Sequence, residues 1–292
     1  MIKKNKKSKY ISIFFIFTLF FLVTCIIINN VIINKSNTIN TVPLNNISSI
    51  DSENTSTNNS NRFGNLNLTS QNIGVPVIYY HSVDKNADNE VTITPDMLEE
   101  QLNYINDNNY ITITMEELYE HLQKNKPIPE KSILITFDDG YMNNYTEAFP
   151  ILKNLNMKAT IFCIGNSLDG SYYLSEEAIK EMSDYGIDIQ SHTVNHLHLD
   201  TLSYDEQLLE LKNSKEILEK ITGKEIISIA YPFGDYNEDT IKAAKNSGYK
   251  LAFTTNLGLS DRDDNIYELD RIYISSYYDM DAFKKLLNNT SK

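Results

Sequence analysis

Tryptophan is absent from this 292-residue chain, cysteine occurs twice and histidine five times. Two cysteines cannot supply a disulfide framework, and a domain of this size does not need one to fold outside the cytoplasm. Lys and Arg together number 26 against 39 Asp and Glu, a formal net charge of −13. Five of those positive charges, Lys3, Lys4, Lys6, Lys7 and Lys9, are crowded at the N-terminus, so the rest of the chain is more acidic still. Such a surface repels nucleic acid and other polyanions. A neutral or cationic substrate fits it better. With Trp missing, any stacking onto a sugar ring would fall to the 19 Tyr and 12 Phe.

Residues 1–9 form a basic tail before an uncharged apolar run, Tyr10–Ile28. At about 1.5 Å per residue a helix over this run would span about 28 Å, close to the bilayer hydrocarbon. The lysines predict a cytoplasmic N-terminus and an extracellular remainder. This gives a single-pass anchor over residues 10–33. A cleaved or lipidated signal is the alternative, since Leu22–Cys25 resembles a lipobox, although Thr24 stands where a smaller residue is expected. Residues 34–72 are rich in Asn, Ser and Thr and read as a solvated, disordered stalk.

From residue 73 to the end, apolar runs of strand length alternate with helical periodicity. Strands are predicted at Val75–Tyr80, Ser132–Phe137, Ala159–Ile164, Ile187–Gln190, Ile226–Tyr231, Leu251–Thr254 and Arg271–Ile274. Helices are predicted at Pro95–Asn108, Met115–Gln123, Asn143–Leu155, Ser175–Tyr185, Ser203–Ile221 and Glu238–Ser247, with Ser203 and Glu206 placed as a capping box. Repeated strand-then-helix order predicts an α/β barrel or a doubly wound sheet.

Two places stand out chemically. Asp138 and Asp139 follow a buried strand directly, and Gly140 turns the chain. The C-terminal ends of parallel strands are where α/β folds place their reactive groups. His192 and His196 follow another strand and are four residues apart, close enough in a turn or first helical turn to converge on one ion. One Asp with two His leaves an open position for an activated water. His198 points elsewhere, and His121, inside a predicted helix, reads as a surface residue.

Thr136–Gly140 and Ser191–His196 resemble the first two motifs of carbohydrate esterase family 4, the polysaccharide deacetylases with a NodB homology domain. The resemblance implies a distorted (β/α) barrel. It also implies a divalent metal, Zn²⁺ first with Co²⁺ or Ni²⁺ possible, held by Asp139, His192 and His196, with Asp138 as general base. The family's third motif departs here, reading Ala230-Tyr231-Pro232-Phe233-Gly234. The resemblance places Tyr231 and Phe233 on the substrate and oxyanion side, with a backbone N–H near Phe233 as donor. The motif's Arg is missing, and Arg271 is the candidate replacement. The late His that serves as general acid is missing too. Val75–Ser82, however, resembles the opening of the poly-β-1,6-N-acetylglucosamine deacetylase subgroup, which assigns the acid to His81. The implied reaction is hydrolysis of N-acetyl groups from an N-acetylglucosamine polymer, poly-N-acetylglucosamine ahead of peptidoglycan. A silent glycan-binding module, or the same chemistry on another acyl group, are the alternative readings.

Overall fold

The structure is a computed structural model that describes residues 62–290. The predicted tail, the anchor over 10–33 and all but the end of the stalk lie outside them. Among the described residues no helix is long and apolar enough to cross a membrane.

The chain runs β1 (Leu68–Thr69), β2 (Val77–Tyr80), β3 (Ser82–Val83), β4 (Thr92–Ile93), α1 (Pro95–Asp107), β5 (Ile111–Thr112), α2 (Met115–Lys124), β6 (Ile128–Pro129) and β7 (Ser132–Phe137). A π-helical turn (Asn144–Ala148) leads into α3 (Phe149–Asn154). Then come β8 (Thr160–Cys163), α4 (Glu176–Tyr185), β9 (Asp188–Ser191), α5 (Tyr204–Thr222), β10 (Ser228–Ala230), α6 (Glu238–Asn246), β11 (Leu251–Leu257), β12 (Leu269–Tyr273) and α7 (Met280–Asn289). The predicted helix over Asn143–Leu155 is thus two pieces. Pro150 sits in the first turn of the second, where its missing N–H leaves no helical bond unmade.

Seven parallel strands close a barrel in the order β2, β12, β11, β10, β9, β8, β7, with β7 pairing back to β2. Short β5 joins the start of β7 from outside the ring. The ring is uneven. A single residue pair links β9 to β10, and the β11–β12 register shifts between Phe253 and Leu257. Strands buried on both faces read as continuous apolar runs, and β7 is buried at all six positions.

Capping chemistry sets the helix ends. Ser203 and Glu206 cap α5 reciprocally, as predicted, and Thr114 and Glu117 do the same for α2. His121 differs from expectation. It is fully buried, because the last turn of α2 packs under the Arg262 guanidinium, which donates to the His121 carbonyl at 3.0 Å. The His121 ring nitrogen Nδ1 lies 2.9 Å from the Lys126 carbonyl. The described N-terminal segment closes this lower end of the barrel: β1 pairs antiparallel with β6, and Arg62 grips Glu117 with two bonds of 2.6 Å.

Candidate active site

Because all seven strands run in one direction, their C-terminal ends share one rim. Chain segments leaving β2, β7, β9 and β10 deliver His81, Asp138 with Asp139, His192 with His196, and Phe233 to a single cavity of about 480 Å³.

Asp138 continues the β7 ladder, its N–H donating to the Tyr80 carbonyl at 2.9 Å. Asp139 then turns to φ 70° and Gly140 to φ 71°. A side chain on Gly140 would meet the backbone and Sγ of Cys163 at 3.1–3.3 Å, so this turn needs glycine twice over, for its φ and for its space. The turn sends the two carboxylates apart. Asp138 faces Arg271 on β12, whose two terminal nitrogens donate to its two oxygens at 2.8 Å each. Arg271 is fully buried, donates its Nε to the Thr254 carbonyl at 2.9 Å, and lies over the Tyr79 ring at 4.1 Å. Burial alone would raise the Asp138 carboxyl; the guanidinium outweighs it by charge and hydrogen bonding and holds it below the ordinary carboxylate value.

Asp139 faces the two histidines. Its Oδ1 lies 3.4 Å from His192 Nε2 and 3.2 Å from His196 Nε2. The same Oδ1 is buried and has no hydrogen-bond partner of adequate geometry. Burial opposes ionisation of Asp139, and the two imidazoles override it, pulling its carboxyl well below the usual range. His192 Nδ1 sits 2.8 Å from the Ala230 carbonyl. That oxygen can only accept, so Nδ1 carries a proton, and in the neutral ring Nε2 turns its lone pair toward Asp139. Burial disfavours the charged ring, and Asp139 and Asp138 override it, raising the imidazole above its ordinary value. The three ligand atoms lie within 4.8 Å of one another. Zinc bonds of about 2.0–2.1 Å put two tetrahedral ligands about 3.3 Å apart. The 3.2 and 3.4 Å separations, the orphaned Oδ1 and the exposed lone pair therefore fit a divalent cation.

His81 lies between aromatic rings, 5.8 Å from Tyr79 and edge-on to Tyr273 at 6.0 Å between centroids. Its carbonyl accepts from Asn144 Nδ2 at 2.7 Å, and its buried Nδ1 has no protein partner. Burial pushes its imidazole below the ordinary value, against the pull of Asp138 and Asp139.

Phe233 is 53% exposed at the mouth with φ 60°, a conformation costly for an aromatic residue. Its N–H donates to no acceptor among the described residues, while those of Gly234 and Asp235 close the turn onto Tyr231 and Pro232. The Phe233 ring stacks on His198 at 4.0 Å and meets His196 edge-on at 4.5 Å. His198 in turn holds Asp235 at 2.6 Å and is not one of the three grouped ligand residues, Asp139, His192 and His196. Tyr231 borders the cavity, but its ring is buried against Tyr236 and its hydroxyl donates to the Tyr267 carbonyl.

Several lining residues carried no sequence signal: Tyr79, Tyr273, Thr255 and Glu90. Tyr141, directly after Gly140, becomes legible once Asp-Asp-Gly is known to sit on the rim.

Residues 125–252 match the family described as polysaccharide deacetylase. Asp138, Asp139, His192, His196 and Phe233 fall inside this match, whereas His81 and Arg271 fall outside it. The chain is 40% identical over 209 residues to YxkH of Bacillus subtilis (strain 168), named as a candidate polysaccharide deacetylase, covering 72% of this chain and 74% of that protein. It is 29% identical over 211 residues to the poly-β-1,6-N-acetyl-D-glucosamine N-deacetylase of Staphylococcus epidermidis (strain RP62A), covering 67% and 71%. In structure it resembles the Streptococcus pyogenes deacetylase PplD, solved in complex with acetate, with a TM-score of 0.70 and 32% identity over 76% of this chain and 100% of that one. This chain belongs to the polysaccharide deacetylase family, hydrolases of carbon–nitrogen bonds built on an α/β barrel of the NodB type.

Proposed function

We propose that the protein removes N-acetyl groups from an extracellular N-acetylglucosamine polymer, poly-β-1,6-N-acetylglucosamine ahead of peptidoglycan, using a divalent metal, Zn²⁺ first. The observation that supports this best is the convergence around one cavity of Asp139, His192 and His196 with an Arg-paired Asp138 and a partnerless His81 nitrogen. The S. epidermidis relative supports the choice of polymer. In this reading residues 10–33 anchor the enzyme in the bacterial cell membrane, residues 1–9 stay in the cytoplasm and residues 34–72 give the catalytic domain reach.

Asp139, His192 and His196 would hold the cation, which when bound would supply Lewis acidity toward water and the acyl oxygen. The chain's own residues do the rest. A carboxylate offers about four lone-pair sites, and the Arg271 fork uses two of those on Asp138. The others are free to take a proton from the attacking water. Arg271 keeps Asp138 ionised and fixed in orientation, which leaves it ready as a base at neutral pH. The unused Phe233 N–H is a donor for the oxyanion that forms on the substrate. Negative charge growing in the same cavity favours the charged form of His81, which then protonates the leaving amine. Acetate and a glucosamine amine result.

The test is acetate release from β-1,6 and β-1,4 N-acetylglucosamine oligomers by the full chain. Release from the β-1,6 series should dominate, and Asp138→Asn should lower it about 10²–10⁴-fold. Polymer binding without any release would instead identify a silent glycan-binding module.

A further inference from the structure

Helix α5 does more than cover the barrel. Glu210 and Ser214 lie one turn apart on one of its faces, and both reach the segment Ser191–His196 that carries the two histidines. Glu210 is only 9% exposed. Its Oε2 accepts from the backbone N–H groups of Val194 at 3.1 Å and Asn195 at 2.9 Å. Its Oε1 accepts from the Asn195 side-chain amide at 2.5 Å. Ser214 Oγ meets Ser191 Oγ at 2.8 Å. The segment's carbonyls are held by Gly165 and Asn166, whose N–H groups donate to those of Thr193 and Val194 at 2.9 and 3.0 Å.

The backbone explains why these six residues are held from so many points. Thr193 has φ 64° and His196 φ 54°. A β-branched residue at positive φ is a true outlier that persists only where the surroundings over-determine it. Relaxation of that turn would swing His196 away from His192. Three N–H donors converge on one buried side chain, and a carboxylate meets all of them with acceptors. A side-chain amide in its place would set its own NH₂ against one of the donors.

We propose that Glu210 is a positioning residue of the metal centre, a buried carboxylate clamp that holds the strained segment so that His192 and His196 converge with Asp139. The inference rests on the reading that these three residues bind the metal. Groups behind the ligands affect metal affinity by orienting them, which separates this role from helix packing. Packing alone would change thermal stability and leave metal affinity where it was.

The test uses the full chain and metal alone: Zn²⁺ affinity by competition with a chromophoric chelator, and the visible spectrum of the Co²⁺ form. Glu210→Gln should weaken Zn²⁺ binding about 10–100-fold and shift the Co²⁺ bands. Asn195→Ala, at an exposed position, removes one arm of the clamp and should weaken binding several-fold. Combining Glu210→Gln with Asn195→Asp restores the match of donor to acceptor across the clamp and should recover most of the affinity. Native affinity and an unshifted spectrum in Asn195→Ala and in folded Glu210→Gln would overturn the clamp while leaving the metal site intact. If Glu210→Gln does not fold, Asn195→Ala decides alone. Failure of the native chain to bind Zn²⁺ in a His192-dependent way would overturn the metal reading, and the clamp with it.

Discussion

The two ends of the barrel both hold charged groups against the fold, half-buried or exposed at the lower end and buried at the rim. At the lower end Arg262 reaches the His121 carbonyl, the Ser70 carbonyl and the His121 ring, and Arg62 grips Glu117. Each group there has its partners. At the upper rim, Asp139 Oδ1 and His81 Nδ1 are buried without one. Backbone strain divides the same way. Among the described residues, seven non-glycine residues have positive φ. Three of them, Asn109, Asn125 and Asn156, follow helix ends, where Asn tolerates the left-handed region. The other four, Asp139, Thr193, His196 and Phe233, all belong to the candidate site. Partnerless buried atoms also occur in the scaffold, Thr160 Oγ1 and Gln207 Oε1 among them, but on relaxed backbone. Their coincidence with strained backbone marks the rim as the place built for something the protein does not itself provide.

Interference with the two ends should therefore have unequal results. Chelation should reduce acetate release to background, with Zn²⁺ restoring it, while the far-ultraviolet circular dichroism stays unchanged because the scaffold does not depend on the ion. His81→Ala should cost about 10²–10⁴-fold in turnover with little change in Tm. An unchanged rate would remove His81 from the acid role. Arg271→Met should destabilise by about 3–5 kcal/mol at pH 7, measured by denaturant titration, since it leaves Asp138 buried and uncompensated. The sign follows from the Asp138 carboxyl being held below its unfolded value. The stability it contributes is fully present above about pH 4 and is lost as pH falls through the folded pKa. The variant should then lose stability as pH rises, and the acidic limb of its kcat/KM profile should move to higher pH. At the small end, Asn125→Gly, at a relaxed helix end, should shift stability by less than about 0.5 kcal/mol and leave turnover unaffected. A large loss there would break the contrast between the two kinds of positive φ.

Much of this was legible in the sequence, for local reasons. The strand Ser132–Phe137 carries Ile133, Leu134 and Ile135 at its centre and runs straight into a charged pair, and the capping box at Ser203 and Glu206 is spelled in four residues. What escaped was either too short or too distant. Strands of two residues, such as Ile111–Thr112 and Ile128–Pro129, leave no periodicity to detect. The final helix, Met280–Asn289, was within reach, with Asp279 as its cap and Phe283 and Leu287 on its buried face. His121 looked like a surface residue because its helix shows only the local pattern, while Arg262, which covers it, lies 141 residues away. Glu210 reads as one more acid on an amphipathic helix until the loop it holds is seen in space.

The pairing of β2 with both β7 and β12 also bears on how such chains are recognised. A closed ring has no first strand. His81 near the start of the domain and Arg271 near its end stand beside one another only because the circle is complete, and any strand end could in principle host either part. Motif order along the polypeptide is then a historical accident, and searches that insist on it will overlook enzymes whose parts have merely moved round the circle. The same geometry predicts that cutting the ring at another loop and joining the old ends through a linker would leave the rim intact.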